Sequence, residues 1–330
     1  DIQERELLAL YHEAQELISQ YQMDCAMVKL DAVLIKAKMS NNIEYIGRAF
    51  SLKGFLNYRR NETNHAINFY EKAVEIFSQN IELFNDELKQ VKNSLGVLYT
   101  SNGELGKSLE NLFYSVELAE KNSLSKATSF NNIALVYHVK EDYIKAINFF
   151  KLSISEEEML DKPSLSHCMS VNVNIGGCYV KVGQLEEAFD IFSKTLKQCE
   201  QEEEFRIMIQ CLKGLALVFL EKGDYKNAEI CLKKAIKLSS FIDYRVHMVE
   251  ILIILSDLYQ KIKNHRDQFS TLKKALKLAE RAHRQKVVLV LEALKAFHLD
   301  RMNYKEVGST LRRILALKEA AFEKEKKEKL

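Results

Sequence analysis

Small and large apolar positions alternate with polar ones in one recurring order along the chain. A small residue is followed three positions later by an aromatic, then by glycine or a stand-in. A second small residue comes next, and an aromatic or leucine closes the set. Three stretches carry it most fully: Leu95-Gly96, Tyr99, Gly103, Leu105, Leu112; then Ile175-Gly176, Tyr179, Gly183, Leu185, Ala188, Phe192; then Leu215-Ala216, Phe219, Gly223, Tyr225, Ala228, Leu232, Ala235. Weaker copies keep the frame at Gly54, Ala66, Tyr70, Ala73; at Ile133-Ala134, Tyr137, Tyr143, Ala146, Phe150; at Leu255-Ser256, Tyr259, Leu272, Ala275; and at Leu294, Tyr304, Val307, Leu311. An eroded first copy runs through Ala14, Leu17, Ala26 and Leu30, and the small-residue anchors lie 38 to 42 residues apart.

Each copy predicts two helices. The first small residue lets helix A approach its partner closely, and the residue near Gly103, Gly183 or Gly223 turns the chain. The second small residue marks closest contact on helix B, and the large residue four positions later fills the groove. One hairpin buries only one of its faces, so neighbouring hairpins must bury the other, and the copies are expected to stack.

These residues resemble the tetratricopeptide repeat over essentially the whole chain. The pattern departs from that family in three ways: tryptophan is absent, with Phe50 or something smaller in the usual bulky place; the usual closing proline is missing from every copy; and the period is near 40 instead of about 34. Long repeats of this kind look like those of kinesin light chains, polarity adaptors and Gram-positive receptors for signalling peptides. The resemblance implies an all-α fold, a right-handed superhelix (α-solenoid) of about eight helix-turn-helix repeats, with A helices on the concave wall. The units fall at roughly 1–40, 41–82, 83–122, 123–162, 163–202, 203–242, 243–282 and 283–316. It also implies a protein or peptide ligand in the groove.

In related superhelices an asparagine just before the small-residue pair bonds the backbone of an extended peptide, because its amide both donates and accepts. Asn132 and Asn174 match that position, Ser94 occupies it in the third copy, and Asn93 and Asn131 stand beside it. By the same resemblance His138, Lys181, Gln210, Lys213 and Leu217 point inward, giving a mildly basic groove suited to carboxylates. A solvated surface role is the alternative for each of these residues.

Composition narrows the rest. With 48 basic and 46 acidic side chains the net charge is +2, so no global field points to nucleic acid or an anionic membrane. Residues 221–290 hold 15 Lys or Arg and 8 Asp or Glu, but lysines such as Lys233, Lys234, Lys237, Lys273, Lys274 and Lys277 sit beside buried positions of B helices and read as solvated outer faces. No aromatic platform interleaves with them, which disfavours nucleic acid. The acidic runs Glu156–Glu158 and Glu202–Glu204 read as helix-end or loop charge. Six cysteines without a CxxC pair read as free thiols packed as small hydrophobes and favour a cytoplasmic setting. No apolar run approaches the roughly 20 residues that span a bilayer.

The usual catalytic signatures HExxH, GxxxxGK[ST], GxSxG and GxGxxG are absent, so the chain reads as no enzyme, with no cofactor and no metal. Its first residue is Asp1, which reads as an excised fragment or a processed product of a longer protein. Residues 317–330 pass from Leu317 and Phe322 into Glu-Lys alternation, predicting a projecting charged helix. That helix resembles the connectors of bacterial sensor proteins to output domains, and is the expected element if two chains dimerise. The leading expectation is an interaction module in a signalling protein. Its rivals are a scaffold working through the convex face or the ends and, behind that, a nucleic-acid-associated adaptor.

Overall fold

A computed structural model describes residues 2–121, 123–282 and 284–328. Asp1, Lys329 and Leu330, named at the two ends above, lie outside the described residues, as do Asn122 and His283 at two expected unit boundaries. Among the described residues there are sixteen α-helices and no strand. They fall into two compact units, Asp1–Pro163 and Ser164–Leu330. The single proline of the chain, Pro163, closes the first.

The first unit holds four hairpins: α1 (Ile2–Ser19) with α2 (Met23–Met39), α3 (Ile43–Arg59) with α4 (Thr63–Phe77), α5 (Ile81–Ser101) with α6 (Leu105–Leu118), and α7 (Leu124–Val139) with α8 (Tyr143–Glu158). The second holds α9 (Leu165–Lys181) with α10 (Leu185–Glu202), α11 (Phe205–Glu221) with α12 (Tyr225–Phe241), α13 (Arg245–Lys261) with α14 (His265–Ala282), and α15 (Arg284–Leu299) with α16 (Tyr304–Glu328). The odd-numbered helices are the A helices. Within each unit every A helix touches its own B helix and the next A helix.

The hairpin turns share one geometry. A residue in the left-handed region, Gly103, Gly183 or Gly223 at φ of 76–80°, reverses the chain. The next N–H then bonds the carbonyl five residues back, as in Glu104 to Tyr99 at 2.9 Å and Asp224 to Phe219 at 2.8 Å, which satisfies a carbonyl the helix end would leave bare. Tyr21, Asn61, Glu141, Lys263 and Met302 hold the same conformation in the other copies at φ of 55–60°, and each bears the side-chain crowding that glycine avoids.

The small anchors are seats for B-helix side chains. A Cβ built on Gly54 would lie 2.9 Å from the Tyr70 ring, and one on Gly176 would lie 2.7 Å from Phe192; on Gly96 it would strike Leu112. Phe192 is also pressed against Gly214 of the following A helix, so it joins two hairpins at once. Phe192 is 2% exposed and Leu112 is fully buried, and burying each contributes on the order of 1.5–3 kcal/mol.

Three expectations need correction. Leu311, aligned with these groove fillers, is 42% exposed, and Ile314 takes the inward place at 2%. The reason is that α16 packs on α15 with no further helix described against its other side. Glu157, read as helix-end charge, does lie in the last turn of α8 but is buried. Cys25 is exposed, whereas Cys168, Cys178, Cys199 and Cys211 are buried; all six thiols are free. Helix α16 runs unbroken through residue 316, and Leu317 packs against the last core cluster.

Candidate functional site on the A-helix faces

In the first unit, α1, α3 and α5 enclose a cleft of about 440 Å³. Helix α1 contributes Leu8, Tyr11, His12 and Gln15; α3 contributes Tyr45, Arg48, Ser51 and Leu52; α5 contributes Asp86, Glu87 and Gln90; and Phe77 of α4 also lines it. The Tyr11 and Tyr45 rings meet edge to face at 5.4 Å. Burial pushes the pKa of both hydroxyls up, so they remain neutral donors. Arg48 lies over Tyr45 and bonds Glu44 one turn back and Glu87 on α5, each at 2.8 Å. Asp86 is held by Lys89 at 2.6 Å. Arg48 therefore stands between two carboxylates.

Next to this cleft a chain of hydrogen bonds links α6, α7 and α5. The Ser115 hydroxyl donates to the Lys89 carbonyl at 3.0 Å and lies 3.0 Å from the Ser129 hydroxyl. Ser129 Oγ donates to Asn93 Oδ1 at 3.3 Å, and Asn132 Nδ2 donates to the same oxygen at 3.0 Å. Asn131 Nδ2 reaches Asn132 Oδ1 at 3.5 Å, and its own Oδ1 is shielded without a partner. The structure thus brings Asn93, Asn131 and Asn132 together. Ser94 instead bonds back to the Gln90 carbonyl at 3.0 Å, as a hydroxyl inside a helix commonly does.

His138 is elsewhere. It stands six residues along α7 from Asn132, edge-on to Tyr143 at 5.4 Å, and belongs to the hairpin turn.

The second unit builds its A-helix face around a carboxylate. Lys213 of α11 donates to Glu250 of α13 at 3.1 Å, Lys286 of α15 donates to the other oxygen, and His247 Nδ1 lies 3.6 Å away. Gln210 Nε2 meets His247 Nδ1 at 2.8 Å. The His247, Lys286 and Lys213 contacts outweigh burial and hold the Glu250 carboxyl well below the usual carboxylate range. Gln210 and Lys213 are therefore neighbours in one network. Leu217 is partly buried against the core cluster around α11 and α12, Asn174 is half-buried on α9, and Lys181 is exposed at the end of that helix.

Sequence reasoning missed Tyr11, Tyr45, Arg48, Glu87, His247, Glu250 and Lys286. A signal for several of them was present: oppositely charged residues one repeat apart. Arg48 and Glu87 are 39 positions apart, as are Asn93 and Asn132, and Lys213 and Glu250 are 37 apart. Residues one period apart on adjacent A helices come into register.

Lys233, Lys234, Lys237, Lys273, Lys274 and Lys277 are all exposed on α12 and α14. Among the described residues no group of three His, Cys, Asp or Glu is arranged to hold a metal ion, and no helix is long and apolar enough to cross a membrane.

Residues 167–240 match the family model for the tetratricopeptide repeat. No curated protein matches the chain. Among solved structures it is similar to the apo form of RapI (TM-score 0.65, 15% identity, covering 84% of this chain and 99% of that one). It is equally similar to a tetratricopeptide repeat protein from Parabacteroides merdae ATCC 43184 (0.65, 14%, 88% and 98%). A third likeness is a Rap protein complexed with competence and sporulation factor (0.60, 14%, 97% and 99%). The fold is that of tetratricopeptide-repeat α-solenoids.

Proposed function

We propose that this array of helical hairpins is a binding module whose A-helix faces hold an extended peptide or a partner helix, and that it serves as the sensory or regulatory part of a cytoplasmic signalling protein. The observation that carries the reading is the open cleft between three successive A helices of the first unit, lined by paired tyrosines, Arg48, Glu87 and Gln90. Concave sites with an apolar floor and a few fixed polar groups are where ligands bind. The asparagine network beside it supplies amides suited to a peptide backbone. A similar fold has been seen complexed with competence and sporulation factor, which supports ligand binding by this architecture.

The proposed contact residues are Asn93, Asn131 and Asn132 of the first unit, with Tyr11, Tyr45, Arg48 and Glu87 added from its cleft, and, taken separately, Asn174, Lys181, Gln210 and Lys213 of the second unit. His138 is the least favourably placed of the expected set. Binding that favours one arrangement of the stacked hairpins would shift their population, which is how a groove ligand would regulate.

The test is selection from a random displayed peptide library, followed by titration of the selected peptides. Arg48→Glu and Asn132→Ala are expected to weaken binding at least tenfold, with Lys233→Glu on the exposed face of α12 leaving it unchanged. Failure of the library to yield any peptide above background would count against the proposal, as would loss of binding only in the Lys233→Glu chain.

A further inference from the structure

Helix α16 has two apolar faces. One is used: Ile314 is buried and Leu317 packs against the core around α14 and α15. The other carries Tyr304, Leu311, Leu315 and Phe322, which are 67%, 42%, 50% and 65% exposed. At about 100° per residue these four fall within an arc of roughly 40°, so they form a straight stripe on the helix surface.

With Gly308 and Lys318 included, the stripe advances by four, three, four, three and four residues. That is the spacing of a coiled-coil seam, and it reads the same from either end. A second α16 laid antiparallel on the first would put Tyr304 against Phe322, Gly308 against Lys318 and Leu311 against Leu315. A two-fold axis between Leu311 and Leu315 then repeats each layer, which is the self-complementary form a symmetric dimer requires.

The chemistry of the layers suits that arrangement. Aromatic rings close both ends and leucines fill the centre. A Cβ built on Gly308 would meet open space, which leaves room for the Lys318 stem while its ammonium reaches Glu292 of α15 at 3.8 Å. A parallel pairing would set Gly308 on Gly308 and Lys318 on Lys318, one layer empty and another holding two ammonium groups.

The flank turned away from the unit's own core carries Lys305, Arg312 and Glu319 at steps of seven, all exposed. Antiparallel pairing places Lys305 opposite Glu319 twice. Arg312 meets its own mate near the axis, and this like-charge contact in a short seam makes the association reversible.

We propose that the exposed stripe of α16 is the interface of an antiparallel, two-fold symmetric dimer of this chain. Sedimentation velocity of the chain from about 1 to 200 μM tests it. The wild type is expected to pass from monomer to dimer across that range. Leu311→Asp with Leu315→Asp should weaken the dimer at least tenfold while leaving the helical melt unchanged, because both side chains are exposed in the single chain. Lys305→Glu should also weaken it, and adding Glu319→Lys should restore it.

Orientation is read by disulfide trapping in a Cys25→Ser background. Mixed Leu311→Cys and Leu315→Cys chains are expected to cross-link to one another faster than either does to itself. A monomer at every concentration would overturn the proposal, and so would a dimer indifferent to the aspartates or dominant cross-links between like positions.

Discussion

The two units set opposite charges at the centre of their A-helix faces. In the first, Arg48 bridges Glu44 and Glu87 at the edge of an open cleft. In the second, Glu250 is held by Lys213 and Lys286 with His247 beside it. The packing underneath is alike: Gly96 seats Leu112 in one unit and Gly176 seats Phe192 in the other, and both use the same left-handed turn. Seat positions are fixed by volume, whereas A-helix face positions meet only their counterparts one repeat away. A repeat array can therefore keep its core and change the sign of charge on its A-helix faces.

The largest expected effect tests the shared core. Gly96→Val and Gly176→Val should each destabilise by about 3 kcal/mol or more through overpacking, with urea unfolding followed by circular dichroism as the measure. Losses that agree within about 1 kcal/mol support a common seat. Tolerance of valine in one unit alone would break the comparison at its base.

Next comes the contrast of charge. Glu250→Gln leaves two ammonium groups without their anion and should cost about 1–3 kcal/mol near neutral pH. Because the folded carboxyl titrates below its unfolded value, its stabilisation is complete above the ordinary carboxylate range and is lost as pH falls through the folded value. The Tm difference between wild type and variant should be present near neutral pH and close in strong acid. Arg48→Met leaves Glu44 and Glu87 facing each other. Its smaller loss, about 1 kcal/mol, is read in the same melts. A Glu250→Gln gap that persists undiminished in strong acid would contradict the charge assignment.

The smallest effect concerns the turns. Glu141→Gly in the first unit and Lys263→Gly in the second should stabilise by about 0.5–1 kcal/mol, since glycine takes a positive φ without crowding. Gly183→Ala should destabilise by a similar amount, and thermal melts read all three.

The repeated seats and turns were legible in the sequence because they depend on size and on backbone conformation, which residue type states directly. Gly96, Gly176, Phe192 and Gly223 do in the structure what their spacing implies. Leu311 was misread because the repeat frame assumes a neighbour on both sides of each hairpin, and α16 has one described. Of the candidate site, the Asn93–Asn132 pair was half legible: the residues stood out, but their bond joins two helices 39 positions apart. Arg48 and Glu87 were passed over because each is unremarkable within its own helix and acquires meaning only when one repeat is laid on the next. Pro163 was likewise visible, but what it marks is a division between units that no local pattern encodes.

The proposed ligand lies on the A-helix faces. The most direct test is photocrosslinking of a library-selected peptide carrying benzophenone, with attachment sites mapped by mass spectrometry. Crosslinks are expected on A helices, led by α1, α3 and α5 around Tyr11, Tyr45 and Gln90. Crosslinks confined to B helices such as α12 and α14, or to α16, would contradict it.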